Sequence, residues 1–439
     1  MKSRKMLSIL LSLLILVSTV VFTPTISAAS KDDLATISSL QAYQSFVDRA
    51  VKLKDFSGVV YATKNGRVLC QSASGMQNTE KNIPMSIDSQ FSIGSVSKQF
   101  CATAVLLLQE QGKLSVNDTL EKYFPQYVIG KDITIHALLS MRSGIRDYMN
   151  TDYDYEGHEN PFEEYIVTDT ATKEENQKSI LDWVFTQELK YTPDSAHTYS
   201  NTNFLILSII VEKVSGISYQ DFLKQNIFTP LNMTNTVFYE DIINLPNLAE
   251  PILNGYMPFE PYHRGLTQGA GDLVSNAKDM DKWMTSLSEG TLLSEESLKA
   301  MTTVYTPDAG YCYGIMYDAK DGGVYHGGRI PSYETMVLFY PEENLNIFVV
   351  TNDLEKTYKK NFTVEYFANT LSKKIHSNTS LGDVDSDGDI SVLDATAIQL
   401  HISQLKMLNE EQLKCTDTDA DGELSVLDAT AIQLFLAQL

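Results

Sequence analysis

Glu334-Thr-Met-Val-Leu-Phe-Tyr340-Pro341-Glu-Glu-Asn344-Leu-Asn-Ile-Phe-Val-Val-Thr351 is a β-branched and aromatic run broken by Pro-Glu-Glu-Asn, which predicts two antiparallel strands joined by a short turn. Upstream, Tyr311 to Asp318 and Gly323 to His326 have the same character and are expected as further strands. The other end of the chain offers Gly58-Val-Val-Tyr-Ala-Thr-Lys-Asn65-Gly66-Arg-Val-Leu-Cys70. Its Asn-Gly admits positive φ at both turn positions, as a two-residue hairpin requires. Between these ends the pattern is helical, with Ala102 to Gly112 and Asn203 to Gly216 each running into a glycine stop. An early hairpin, a helical middle and late strands make an α+β domain whose antiparallel sheet is closed by both ends of the chain.

A length of 439 residues allows one sizeable core and a small additional module. With 34 basic against 56 acidic residues the net charge is −22, which argues against a partner made of phosphates. Lys2, Arg4 and Lys5 precede an apolar run from Met6 to Phe22, and the small residues Ser27, Ala28 and Ala29 follow. Residues 1–29 therefore read as a secretory signal peptide, the run being short and serine-interrupted for a bilayer span. The first cysteine is Cys70, far from that site, so a lipid-modified N-terminus is not expected. Cys70, Cys101, Cys312 and Cys415 form no Cys-x-x-Cys or Cys/His cluster, which excludes an evident zinc site and leaves pairing open.

Phe91-Ser-Ile-Gly94-Ser95-Val-Ser-Lys98-Gln-Phe100 sets a serine and a lysine three apart at a helix start. Residues so spaced share a helix face. A hydroxyl is a poor nucleophile until a base takes its proton, and a desolvated, neutral lysine can be that base. The motif alone decides nothing, since Ser275/Lys278 and Ser403/Lys406 repeat it. Ser95 is singled out by Tyr199-Ser-Asn201 about a hundred residues later and by His326-Gly327-Gly328 on a late strand. Tyr148-Met-Asn150 and His263-Arg-Gly265 imitate these two without the flanking helix and strand.

In this order, Ser95-x-x-Lys98, Tyr199-x-Asn201 and His326-x-Gly328 resemble the serine β-lactamase and penicillin-binding-protein superfamily, most closely its class C β-lactamase-related branch. The resemblance implies a β-lactamase/transpeptidase-like fold, an antiparallel sheet flanked by helices plus an all-helical subdomain. It implies an acyl-enzyme on Ser95, proton transfer shared by Lys98 and Tyr199, and a Tyr199 phenol of lowered pKa beside the Lys98 ammonium. Asn201 would meet the substrate amide or hold Lys98. His326, Gly327 and Gly328 would line the opposite wall, and the backbone N–H groups of Ser95 and Arg329 would form the oxyanion hole. Many β-lactam-hydrolysing members carry Lys-Thr-Gly where this chain has His-Gly-Gly, and a histidine near neutrality offers a weaker, pH-dependent charge. Hydrolysis of a D-Ala-D-Ala-type peptide or an ester is therefore expected, with no catalytic cofactor. A true β-lactamase and a non-catalytic ligand-binding relative stay open. The stretch from Asn150 to Lys178 is expected as a solvated insertion, with a roof over the cleft as the alternative.

One repeat stands out. Asp383-Val-Asp385-Ser-Asp387-Gly-Asp389-Ile-Ser391-Val392-Leu393-Asp394 returns 34 residues later as Asp417-Thr-Asp419-Ala-Asp421-Gly-Glu423-Leu-Ser425-Val426-Leu427-Asp428. Carboxylates at positions one, three, five and twelve around a Gly-permitted turn converge on a hard cation, which predicts one structural Ca²⁺ per loop, Asp389 and Glu423 lending carbonyls and the two serines acting through water. Each loop has only a following helix, and paired loops of this kind resemble a type I dockerin. That resemblance implies a cohesin partner on a scaffold protein, met by Val392, Leu393, Val426 and Leu427. The period of Leu393, Ala397, Ile398 and Leu400 predicts a helix packed on its duplicate. The expected layout is a signal peptide 1–29, a hydrolase domain 30–375, a linker 376–381 and a dockerin 382–439, in a secreted, cellulosome-associated enzyme.

Overall fold

The computed structural model describes residues 31–149, 167–168, 170–252, 265–330, 332–376, 382–385, 391–413, 415–418 and 423–436. The expected signal peptide and linker residues 377–381 lie outside these, as do residues 150–166 and 169 of the stretch from Asn150 to Lys178 that was expected as an insertion. The chain divides after Ser39, and of the part before it only the opening of helix α1 (Lys31–Lys54) is described.

Six antiparallel strands, β1 (Gly58–Lys64), β2 (Arg67–Ser74), β3 (Met316–Tyr317), β4 (Val324–Ile330), β5 (Tyr333–Tyr340) and β6 (Leu345–Thr351), form one sheet in the order β2-β1-β6-β5-β4-β3. The early hairpin pairs with the last strand, Gly58 opposite Thr351, so both ends of the domain close the sheet as expected. Asn65 and Gly66 sit at φ 52° and 73°, the conformation their turn demands. Every residue of β6 is buried because both faces of the sheet are covered. On one face Val60, Met336, Leu338 and Val349 meet Phe46 and Val47 of α1 and Phe367 and Leu371 of a late helix, α5 below. On the other, Val59, Val337, Phe339 and Val350 join the large core of the helical region.

That region is built on α2 (Ser97–Glu110) and α3 (Asn201–Ser215), both buried along most of their length, with α4 (Ala277–Glu289) beside the sheet; α5 (Val364–His376) returns to the opposite face. Trp283 of α4 stacks on Phe100 of α2 with ring centroids 4.0 Å apart, and its indole N–H donates to Gln99 Oε1 at 2.6 Å. Gly216 ends α3 at φ 76°, the left-handed C-terminal position glycine favours.

Two expectations change. Tyr311 to Asp318 is not one strand; only Met316–Tyr317 pair with β4. The preceding residues turn so that Gly314, at φ 69°, passes under the first turn of α2, where a Cβ would stand 2.7 Å from Lys98 O. Helix α5 runs on to His376, so the first residue assigned to the linker is helical.

In the C-terminal part, α6 (Val392–Ile402) and α7 (Val426–Leu436) share a small core of Val384, Ala395, Ile398, Leu408, Cys415, Ala429 and Ile432. Leu393 is not part of it. It stands 60% exposed, since the helix turns the adjacent Asp394 and Ala395 inward. All four cysteines are buried, and none is in a disulfide among the described residues.

Candidate active site

Ser95 lies in a single 3-10 turn, Gly94–Val96, that feeds α2. Strand β4 is pressed against this turn. A Cβ on Gly94 would come within 2.8 Å of Arg329 N, and one on Gly328 within 1.9 Å of Ile93 O and 3.1 Å of Ser95 N. Only glycine permits that approach, and it brings the Ser95 and Arg329 amides to one place, the arrangement an oxyanion hole needs.

Lys98 has no solvent exposure. Its Nζ donates to Ser95 Oγ at 3.1 Å, Asn201 Oδ1 at 2.8 Å and Ala270 O at 2.6 Å. Burial pushes its pKa down to about 7, although Asp147, Cys101 and Asp272 favour the ammonium. Near neutrality a large fraction of the amine is thus uncharged and carries a lone pair. Of its three partners, the carbonyls of Ala270 and Asn201 can only accept, so the Ser95 hydroxyl alone can donate to it. The cage selects which proton Lys98 takes.

Asn201, the first residue of α3, is held from behind. Its Nδ2 donates to Asp147 Oδ2 at 2.9 Å and its backbone N–H to the same oxygen at 3.2 Å. The segment carrying Asp147 is tied to the same helix end, Tyr148 N–H donating to Thr202 Oγ1 at 3.0 Å and Thr202 Oγ1 to Arg146 O at 2.6 Å.

Tyr199 closes the group, with Lys98 Nζ 4.9 Å from its ring centroid. Its phenol does not have the lowered pKa expected for it. Burial pushes it up, the neighbouring Ser95 hydroxyl pulls down less strongly, and the Asp147 charge adds to the rise. A half-neutral amine has little charge with which to favour a phenolate, so of the two Lys98 is the group able to accept a proton near neutrality, and Tyr199 stays a neutral phenol.

His326 also departs from expectation. It is 2% exposed, its Nδ1 lies 2.6 Å from Gly327 O, and burial together with Lys98 lowers its pKa to about 3. It therefore brings no charge to the cleft at neutral pH. Tyr311, buried, packs edge-on to both Tyr199 and His326, at 6.1 Å from each.

Ser95, Tyr199, Asn201, Ala270 and His326 line a cleft of about 870 Å³ with Met149, Met316, Tyr325, Ile330 and Val364 on its walls. Its rim bears Arg329, whose guanidinium meets Glu334 at 3.2 Å and lies over Tyr358 at 4.7 Å, and Glu365. Sequence reading missed Asp147, Ala270 and Tyr311. An aspartate in an aperiodic loop, a backbone carbonyl and one tyrosine among 23 carry no pattern. The imitations fall away: Ser275 Oγ lies 2.8 Å from Thr236 Oγ1 while Lys278 pairs with Asp88, Ser403 donates to Gln399 O at 2.8 Å, and the buried Tyr148 donates to Leu266 O. His263 lies outside the described residues.

In the first C-terminal loop, carboxylate oxygens of Asp383, Asp385 and Asp394 lie within 4.8 Å of one another. Asp394 Oδ1 accepts the N–H groups of Val384 and Asp385, at 2.6 and 3.0 Å, and Oδ2 that of Ser391 at 2.8 Å. Asp428 repeats this with Thr418 at 2.7 Å and Ser425 at 2.8 Å. Three converging hard oxygens fit a calcium ion. Asp387, Asp389, Asp419 and Asp421 lie outside the described residues; Asp417 and Glu423 lie within them. Val392, Leu393, Val426 and Leu427 are 63, 60, 57 and 58% exposed, a duplicated apolar pair at the start of each helix.

A sequence profile of the Beta-lactamase family matches residues 44–366, and one of the Dockerin type I domain matches residues 381–436. The putative penicillin-binding protein PbpX of Bacillus subtilis (strain 168) is 28% identical over 315 residues, which are 70% of this chain and 74% of the relative. Among solved structures, the penicillin-binding protein from Bacillus halodurans is 24% identical at a TM-score of 0.62, the match covering 74% of this chain and 99% of that one. EstCE1, a hydrolase with promiscuous acyltransferase activity, is 20% identical at a TM-score of 0.61, over 77% of this chain and 99% of its own.

The cage fixes a pH dependence. With the neutral amine of Lys98 as the base and its pKa at about 7, kcat/KM for an ester is expected to rise about tenfold per pH unit below that point and level above it. His326 is already neutral throughout that range, so in a pH-rate series with p-nitrophenyl acetate the acid limb is expected to report the buried Lys98 together with Asp272, whose carboxyl burial raises to about 7, and not His326.

Proposed function

The chain belongs to the Beta-lactamase family of serine hydrolases, related to penicillin-binding proteins, and carries a C-terminal type I dockerin domain; on that basis we propose that it is a secreted acyl-enzyme hydrolase of ester or peptide-like amide bonds, attached through its dockerin to a cellulosome. The observation that carries the reading is the buried Lys98 amine donating to Ser95 Oγ at 3.1 Å.

Lys98 takes the Ser95 proton, Oγ attacks the substrate carbonyl carbon, and the oxyanion so formed is met by the Ser95 and Arg329 N–H groups. When the tetrahedral species collapses, its bond to the leaving group breaks and the leaving atom takes a proton from Lys98, relayed by the Tyr199 hydroxyl. Water then repeats the sequence on the acyl ester, releasing the acid and restoring Ser95.

The character of the cleft bears on the substrate. His326 is neutral, and the one guanidinium on the rim among the described residues is turned to Glu334 and Tyr358. A substrate end bearing a carboxylate finds no dedicated cation among these residues, whereas the apolar walls accept an uncharged acyl group. This favours esters and blocked amides over D-Ala-D-Ala peptides and β-lactams, which present that carboxylate. EstCE1, whose fold is shared, is itself a hydrolase. The dockerin implies a cohesin as partner and hence an extracellular setting, and among the described residues no helix is long and apolar enough to cross a membrane.

Purified protein is expected to hydrolyse short-chain p-nitrophenyl esters, to act weakly or not at all on nitrocefin and D-Ala-D-Ala peptides, and to lose about a thousandfold or more of the ester activity in Ser95→Ala. Nitrocefin turnover exceeding ester turnover overturns the substrate preference. No turnover and no acyl adduct on Ser95 support a purely binding role instead. For the second module, type I cohesin is expected to retain the full chain on a column in calcium and release it in EGTA; retention unaffected by EGTA counts against calcium-dependent docking.

A further inference from the structure

Asp147 takes no proton in the sequence above and touches none of the reacting atoms, yet it determines what Lys98 faces. It is 6% exposed, its Oδ2 accepts both N–H groups of Asn201, and its Oδ1 accepts Met149 N–H at 2.8 Å. An ionised carboxylate offers only acceptors. The end of the Asn201 amide that faces Asp147 must therefore be the NH₂ end, and the oxygen is left facing Lys98 at 2.8 Å.

The orientation matters because of what the neutral amine has to offer. It carries two N–H bonds and one lone pair. Ala270 O and Asn201 Oδ1 accept the two N–H bonds, and the lone pair remains for the Ser95 hydroxyl. An Asn201 amide rotated by half a turn would present an N–H to that lone pair and compete with the serine for it. We propose that Asp147 is a positioning residue for the Ser95–Lys98 pair, holding the Asn201 amide with its oxygen toward the amine so that the lone pair is kept for the serine proton. In the step it serves, the Ser95 O–H bond breaks, an N–H bond forms on Lys98 Nζ, and Oγ keeps the electron pair with which it attacks. The assignment rests on the hydrolase reading of this site.

A plain structural role is the competitor: a carboxylate at the first-turn N–H of α3 also favours that helix. The two differ in what the substitution does to Lys98. Facing the amine are Ser95 on its own turn, Tyr199 and Asn201 from the start of α3, Cys101 one turn along α2, Asp272 from the loop after Ala270, His326 from β4, and Asp147 behind Asn201. Asp147 and Asp272 are the carboxyl groups among them, and the Asp147 charge helps the amine keep its proton.

The experiment measures kcat/KM for a p-nitrophenyl ester against pH in the full chain, for Asp147→Ala and Asp147→Asn, each in the native and the Asn201→Ala backgrounds, with melting temperatures alongside. In the native background Asp147→Ala is expected to lose about a hundredfold and to move the acid limb to lower pH. Asp147→Asn keeps one acceptor oxygen for the Asn201 amide, so it recovers part of the rate but keeps the moved limb. With Asn201→Ala there is no amide to orient, and removing Asp147 is expected to cost less than about threefold. Equal losses in both backgrounds, or an acid limb that stays in place, overturn the assignment while leaving the hydrolase reading intact. Absence of any turnover in the unsubstituted protein sinks both. Should Asp147→Ala fail to fold, Asp147→Asn decides the same question.

Discussion

The proposed chemistry depends on a single amine sealed from water. Moving the pKa of Lys98 from the ordinary 10.5 to about 7 corresponds to roughly 5 kcal/mol against its charged form. That penalty exists only while the cage stays dry. Gly314 lies under Lys98 O, Gly269 lies where a Cβ would stand 2.6 Å from Phe204 O, and the first turns of α2 and α3 close the remaining sides. The carbonyls of Ala270 and Asn201 accept the neutral amine's two hydrogens and Ser95 Oγ lies beside its lone pair, so the buried group is desolvated without being left unsatisfied. Desolvation lowers the pKa, and the acceptors decide which partner supplies the proton.

The architecture follows from having to bring that cage to the edge of a sheet. The helical region supplies Ser95, Lys98, Tyr199 and Asn201; the sheet supplies His326, Gly328 and Arg329 from β4. β3 pairs only with Val324 and Tyr325, so the later part of β4 is free of a further strand and can lie against the turn that holds Ser95. Pairing the first hairpin with the last strand anchors β4 through β5 and β6, residues more than two hundred positions from the nucleophile.

Much of this was legible in the residue string, because the relevant signals are local. Asn65-Gly66 announces its hairpin, glycine stops end two helices, and the serine–lysine spacing places both groups on one helical face. Tyr199, Asn201 and His326 are brought to the same cleft as Ser95 and Lys98. What was misread depends on burial, which no spacing reveals. A phenol and an imidazole were credited with charge that a dry site forbids, and the tyrosine pKa moves opposite to the expectation. Tyr311 to Asp318 has strand composition, yet the contact of Gly314 with α2 overrides it. Leu393 fits a helical period but precedes a buried aspartate whose oxygens cap the loop, and it faces solvent. Asp147 acts through a hydrogen bond to a residue 54 positions away and leaves no mark in sequence.

The C-terminal module follows the same rule with charge in place of desolvation: carboxylates gathered by backbone N–H groups, and an apolar pair left outside at each helix start. The central claim concerns Lys98, and the direct measurement is the titration of its ε-carbon resonance in ¹³C-lysine-labelled protein, assigned by its loss in Lys98→Arg. A midpoint at about 7 is predicted; a midpoint near 10.5 would contradict the account.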